Sequence, residues 1–187
     1  MAFQFIFREI YWNTWRSIQK GKVLSYGENV TIGRHCHFSN KTISIGDDVY
    51  IGPGCLFQST KSKIIIGNHI MFGPNVSIYG GNHRIDVLGK YIKDITLTEK
   101  LPENDLDVVI SDEVWIGAGV IILNGVHIGE GSIIGAGSVI TRTVPAFTIV
   151  VGSRPQQTFQ RYKNEQIRKH LQLINQIKAS KKEEQND

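Results

Sequence analysis

Ile110-Ser-Asp-Glu-Val-Trp115, Ile116-Gly-Ala-Gly-Val-Ile121, Ile122-Leu-Asn-Gly-Val-His127, Ile128-Gly-Glu-Gly-Ser-Ile133, Ile134-Gly-Ala-Gly-Ser-Val139 and Ile140-Thr-Arg-Thr-Val-Pro145 follow one another without a slip. Isoleucine opens each hexad. Four places later stand Val114, Val120, Val126, Ser132, Ser138 and Val144. An internal repeat outranks local propensity when a fold is read. Six residues are too few for a helix–turn–helix unit. They fit a mainly β architecture, the parallel β-helix, whose short strands stack coil on coil around a column of the repeated apolar residue. Three hexads make one triangular coil, so 110–127 forms one coil and 128–145 the next.

Working back from this stretch, the β-helix begins near Tyr26. The phase runs through Ile32, Phe38, Ile45, Ile51, Phe57, Ile66, Phe72 and Ile78. The steps from Phe38 to Ile45 and from Phe57 to Ile66 are too long, and bulges at Ser39–Lys41 and Ser59–Lys63 absorb the excess. After Ile78 the next apolar position is due at residue 84, but the phase resumes only at Ile110. The aperiodic segment 84–109 is therefore a loop inserted into the repeat. Long aperiodic loops in compact repeats usually carry function.

At the N-terminus Phe3, Phe7, Ile10, Tyr11, Thr14 and Ile18 recur at helical spacing. This segment is expected to cover the open end of the prism, with docking on a membrane or a partner as the second reading. Ile167, Leu171, Ile174 and Ile177 give a second helical stripe after the repeat. The chain divides into an N-terminal helical segment (1–25), a β-helix domain (26–152) carrying the inserted loop, a C-terminal helix (153–178) and a polar tail (179–187).

The 187 residues suffice for one good core and not for two large domains. Hydrophobic content of 41% and charged content of 20% are those of a soluble globular protein. The net charge of +4 is a weak argument for nucleic acid, because a small polyanionic ligand would use only a few cations. Cys36 and Cys55 both fall on the small fifth position of a hexad and read as buried apolar residues. Arg8 and Glu9 interrupt the only early apolar run, so no secretory leader is read. No apolar run reaches membrane length. A cytoplasmic protein is the expectation.

Of the six histidines, His35, His37, His69 and His127 lie inside regular hexads and read as surface side chains. His170 reads as solvated on the polar side of the terminal helix. His83 stands apart, in Tyr79-Gly-Gly-Asn-His-Arg-Ile-Asp86, where the repeat gives way to the loop. A histidine at such an exit projects into a cleft, and a neutral imidazole accepts a proton at cellular pH.

The recurring hexad resembles the motif of the left-handed β-helix, or hexapeptide-repeat, acyltransferases, and the resemblance covers roughly residues 27–155. The left hand comes from that resemblance alone. The string Gly81-Asn-His-Arg-Ile-Asp86 is similar to the catalytic loop of the xenobiotic and sugar O-acetyltransferase branch. The resemblance implies that His83 deprotonates an acceptor hydroxyl, which attacks the thioester of acetyl-CoA. Asn82 or Asp86 would orient the imidazole or meet the acceptor, with loop capping by their side-chain oxygens as the competing reading. Val114-Trp-Ile-Gly-Ala118 resembles the stretch lining the thioester end of the family's CoA tunnel. There Trp115 would pack beside the pantetheine, and the N–H near Gly117 or Ala118 would donate to the thioester carbonyl. An aromatic at a subunit interface is the other reading of Trp115. Ile134-Gly-Ala-Gly-Ser-Val-Ile-Thr-Arg142 resembles a further cofactor stretch. It would place Ala136 and Thr141 against pantetheine and adenine, and Arg142 on phosphate. Gly152-Ser-Arg-Pro-Gln-Gln157 departs from the family's usual ending, which makes Arg154 a weaker phosphate ligand.

The function implied is acetyl-CoA-dependent O-acetylation of a sugar or polysaccharide unit, without a metal, by a homotrimer with sites between subunits. An antibiotic-modifying acetyltransferase, a nucleotide-sugar N-acyltransferase and a non-catalytic β-helix binding protein are the alternatives. A zinc carbonic-anhydrase-like β-helix needs three converging histidines, and its pair five residues apart does not occur in this sequence.

Overall fold

The six isoleucines that open the hexads are all at or below 1% exposure. Val114, Val120, Val126, Ser132, Ser138 and Val144, four places on, are buried with them. Two inward residues per hexad leave only the corner residues and one strand residue facing out, so a two- or three-residue strand is all each side can hold. The computed structural model describes residues 21–39, 41–88, 90–153, 157–160 and 163–184. The expected N-terminal helix over 3–18 lies outside them, as does Arg154.

Each coil lays one strand on each of three faces. The first coil is β1 (Ser25–Tyr26), β2 (Thr31–Ile32) and β3 (His37–Phe38). The second is β4 (Ile43–Ile45), β5 (Tyr50–Ile51) and β6 (Leu56–Gln58), and the third β7 (Ile64–Ile66), β8 (Met71–Phe72) and β9 (Ser77–Tyr79). After the loop come β10 (Val108–Ile110), β11 (Trp115–Ile116) and β12 (Ile121–Ile122), then β13 (His127–Ile128), β14 (Ile133–Ile134) and β15 (Val139–Ile140). Three parallel sheets result. The first is ordered β1-β4-β7-β10-β13 and the third β15-β12-β9-β6-β3. In the last two coils Ile110 pairs with Ile128, Ile116 with Ile134 and Ile122 with Ile140, the register that three hexads per coil demand. Phe38, Phe57 and Phe72 replace isoleucine lower in the column, with ring centroids 5.1 and 5.2 Å apart.

Close stacking is what the corner glycines allow. A Cβ on Gly117 would stand 2.6 Å from the backbone nitrogen of Ala136 in the next coil. Only a residue without that atom lets the coils approach to the spacing of paired strands. Cys36 and Cys55 are fully buried free thiols, their Sγ atoms 3.2 and 3.4 Å from the carbonyls of Gly52 and Gly73. The hydrogen bond to Cys36, then burial, pushes the Cys55 thiol far up, so it stays protonated.

All three departures from the six-residue period fall at one corner, between the third sheet and the first. The excess follows β3, then β6, then β9. The last is the inserted loop, which spans 80–107 rather than 84–109, because Val108 and Val109 already pair with Ile64 and Ile65.

The prism ends differently from the sequence reading. β16 (Thr148–Val151) closes the second sheet in parallel with β14, and β17 (Gln157–Gln160) then pairs with it antiparallel. The second sheet therefore runs β17-β16-β14-β11-β8-β5-β2. The helix expected from residue 153 begins only after this turn-back, as α1 (Asn164–Glu184), and it runs into the stretch read as tail. His170 is not solvated. Its Nε2 lies 2.6 Å from Glu113 Oε2, and its ring meets Phe147 edge-on, which ties α1 to the prism. Among the described residues no helix is long and apolar enough to cross a membrane.

Candidate active site

The loop leaves the third sheet after Tyr79 and returns to the first at Val108, so both of its limbs stand over one corner of the prism. Between the outgoing limb and the wall lies a cleft of about 480 Å³. Gln58, Tyr79, Asn82, His83, Arg84 and Lys100 line it, and Asn124 closes it from the coil above. His83 is exposed to this space, and among the described residues no group hydrogen-bonds its imidazole.

Its two neighbours are otherwise engaged. The Asn82 side-chain oxygen accepts the backbone N–H of His83 at 2.8 Å, which is the loop-capping reading. Asp86 is absent from the cleft lining and pairs with Arg84, Nε to Oδ1 at 2.7 Å. The hydrogen bond from Arg84 holds the Asp86 carboxyl below its ordinary range. Neither side chain hydrogen-bonds the imidazole within one chain.

The loop keeps its shape through internal polar contacts rather than a core. Arg84 also donates to the Glu99 carbonyl at 2.8 Å. Glu99 receives Lys90 at 2.7 and 2.8 Å and the Thr96 hydroxyl and amide at 2.7 and 2.8 Å. The Lys90 and Thr96 donors lower its carboxyl to about 2. Lys61, from the bulge below, reaches the Leu97 carbonyl at 2.6 Å. Lys100 and Asp105 form a pair at 2.6 Å with side chains only 10% and 8% exposed.

The residues matched to a cofactor site lie elsewhere on the chain. Trp115, on β11, points outward from the second sheet and is 52% exposed. That sheet faces the His83 corner across the prism, so the structure does not bring the two together within one chain. Gly117, Ala118 and Ala136 stack at the corner between the second and third sheets. There the Gly117 N–H is already given to the Ile134 carbonyl at 2.8 Å. The Ala118 N–H donates to no described residue. Nothing lies within 4 Å of a Cβ built on Gly119 or Gly137, so this corner is an open, smooth backbone edge. Thr141 and Arg142 sit on the same corner as His83, two coils further on. That is roughly 10 Å of rise at strand spacing. With Pro145, Ser153 and Thr158 they line a separate cleft of about 580 Å³.

The sequence reading missed Gln58, Tyr79 and Asn124. Gln58 and Tyr79 follow the inward Phe57 and Ile78 by one residue and pair in register. The phase that located the core thus also located this wall. Lys100 and Asp105 left no periodic signal at all.

The family model described as bacterial transferase hexapeptide (six repeats) matches residues 107–142. A galactoside O-acetyltransferase of Lactococcus lactis is 40% identical over 90 residues, covering 48% of this chain and 40% of that protein. Across three such known relatives the match spans 40–54% of their lengths, about half. The crystal structure of a maltose O-acetyltransferase from Clostridium difficile is 30% identical with a TM-score of 0.67, covering 80% of this chain and 75% of that one. A hexapeptide-repeat-containing acetyltransferase from Vibrio cholerae, crystallised with acetyl coenzyme A, is 29% identical with a TM-score of 0.67 over 80% of this chain and 76% of that one.

Proposed function

The chain belongs to the hexapeptide-repeat acetyltransferases, and on that premise we propose that it moves an acetyl group from acetyl-CoA to a hydroxyl of a neutral sugar or polysaccharide unit, with His83 as general base. The observation that carries this reading is the state of the cleft around His83. The ring is unclaimed, and the cations beside it already have counter-charges, Arg84 in Asp86 and Lys100 in Asp105. What remains on the wall is a set of neutral hydrogen-bonding groups, among them Gln58, Tyr79, Asn82 and Asn124. A polyhydroxylated acceptor meets such a wall without stranding a charge.

In this mechanism the neutral His83 imidazole takes the proton of the acceptor hydroxyl as its oxygen bonds to the thioester carbonyl carbon. Negative charge gathers on the carbonyl oxygen, where the unspent Ala118 N–H donates. Collapse breaks the carbon–sulfur bond, and the imidazolium returns its proton to the departing thiolate. The acetylated acceptor and free CoA are the products. Asn82 holds the His83 backbone rather than its ring. Thr141, Arg142 and Arg154 take the nucleotide end of the cofactor.

Since His83 and Trp115 occupy opposite sides of one prism, the complete site draws on two copies. We read the active unit as a homotrimer of left-handed prisms in which the second sheet of one subunit faces the loop of the next. Exposed Ile85, Leu88 and Tyr91 on the loop, and Met71 and Trp115 on that sheet, supply the apolar surfaces.

The test is release of CoA thiol from acetyl-CoA with maltose and simple galactosides as acceptors, beside aminoglycan precursors and antibiotics. Acetylation of the neutral sugars is expected, and His83→Ala is expected to slow it by roughly 10²–10⁴-fold. Turnover of the variant at the parental rate removes His83 from this role. Preference for an antibiotic or an amino sugar overturns the acceptor.

A further inference from the structure

The most buried ion pair among the described residues is not in the prism but in the loop. Lys100 and Asp105 lie five residues apart on the returning limb. Enclosing two charges is costly unless the pair is held in one geometry, and this pair is held tightly. The limb that carries it is pinned to the prism on both sides. The Asp107 carboxylate accepts the Lys63 amide at 2.6 Å, and the Leu106 carbonyl accepts the Gly125 amide at 3.3 Å. Asn104 caps its own turn by accepting the Leu101 amide at 2.9 Å.

This fixed limb grips the outgoing one immediately before His83. The Asn104 carbonyl accepts the Asn82 amide at 2.7 Å. The Asp105 carboxylate sits against Gly81 so closely that a Cβ there would be 2.6 Å from Oδ1. Asn82 in turn accepts the His83 amide. The contacts form a chain: Lys100 orients Asp105, Asp105 and Asn104 fix Gly81 and Asn82, and Asn82 fixes His83. Among the described residues no hydrogen bond joins the more exposed pairs of the loop, Lys90 with Glu99 and Lys93 with Asp94, to Gly81 or Asn82.

We infer that Lys100 and Asp105 are positioning residues, a buried brace that sets where His83 enters the cleft. The inference rests on the reading of His83 as base. A base misplaced by about 1 Å loses on the order of 10²-fold in rate, whereas Thr141 and Arg142, proposed for the nucleotide end of the cofactor, lie two coils away, and Trp115 belongs to the neighbouring subunit rather than to the braced limb. The brace therefore acts on kcat and leaves the KM for acetyl-CoA alone.

Replacing both partners, Lys100→Met with Asp105→Leu, removes the brace without leaving a charge buried alone. The 187-residue protein is assayed with acetyl-CoA and maltose or a galactoside, alongside its Tm. The double variant is expected to keep its Tm within a few degrees. Its kcat should fall about 10–100-fold, with the KM for acetyl-CoA unchanged within about twofold. Gly81→Ala keeps both charges, pushes Asp105 aside and is expected to show the same split, so the test stands if the double variant folds poorly. Parental kcat in a folded double variant or in Gly81→Ala overturns the brace. So does a kcat loss matched by a rise in the KM for acetyl-CoA, the sign of general loosening. His83→Ala at the parental rate would instead sink the base reading itself. A dead His83→Ala beside a fully active double variant would sink the brace alone.

Discussion

A histidine becomes useful as a base when its ring is left unclaimed, and the neighbours of His83 leave it so. Asn82 gives its side-chain oxygen to a backbone amide. Asp86 is taken up by Arg84, whose hydrogen bond holds its carboxyl below the ordinary range. The proposed phosphate end of the cofactor site is the other place where a single residue can be tested. Arg142 is exposed on a cleft whose other walls are hydroxyls, proline and valine. Arg142→Glu replaces a forked donor with a repelling charge. It is expected to weaken CoA binding by roughly tenfold or more, the scale of a charge-assisted hydrogen bond. Titration calorimetry should find a smaller effect for CoA lacking the ribose 3′-phosphate. Equal weakening of both cofactors places Arg142 away from that phosphate.

Within the elements, stability comes from the inward column, where each isoleucine touches its equivalents one coil above and below. Ile122 is fully buried between Ile78 and Ile140. Ile122→Ala is expected to cost about 2–5 kcal/mol, read from denaturant unfolding. A loss under about 1 kcal/mol would mean the column relaxes as ordinary cores do not. This column was legible in the sequence because its cause is local: a period of six sets the inward positions, and stacking follows from it. The slips at Ser39–Lys41 and Ser59–Lys63 were legible for the same reason, as errors in a count. The reversal of β17 was not, since Gln157–Gln160 carries no apolar alternation and is a strand only because β16 offers it an open edge. Nor was the contact of His170 with Glu113, whose partners are distant in sequence and meet through packing. In the candidate site His83 was legible from its place at the end of the repeat. The brace beneath it was not, because a Lys and an Asp five residues apart look like any solvated pair until the fold buries them.

Across the whole molecule the outward residues of the second sheet form a column of their own. Tyr50, Met71 and Trp115 pair in register and are 47%, 54% and 52% exposed. Apolar exposure of that kind on a flat face marks a surface that meets another. On the opposite corner the loop exposes Ile85, Leu88 and Tyr91. A closed ring of copies satisfies both surfaces and leaves none unpaired. It would also set the Trp115 of one subunit beside the His83 of the next. Subunits carrying His83→Ala and subunits carrying Trp115→Ala, each impaired alone, can be unfolded together in equal amounts and refolded. If each site takes its base from one chain and its cofactor wall from a neighbour, activity should rise to about a quarter of the parental value. That is the chance that adjacent places in a ring draw the complementary pair. Mixed oligomers no more active than the average of the two impaired parents, or a fully active monomer in the ultracentrifuge, would contradict the shared site.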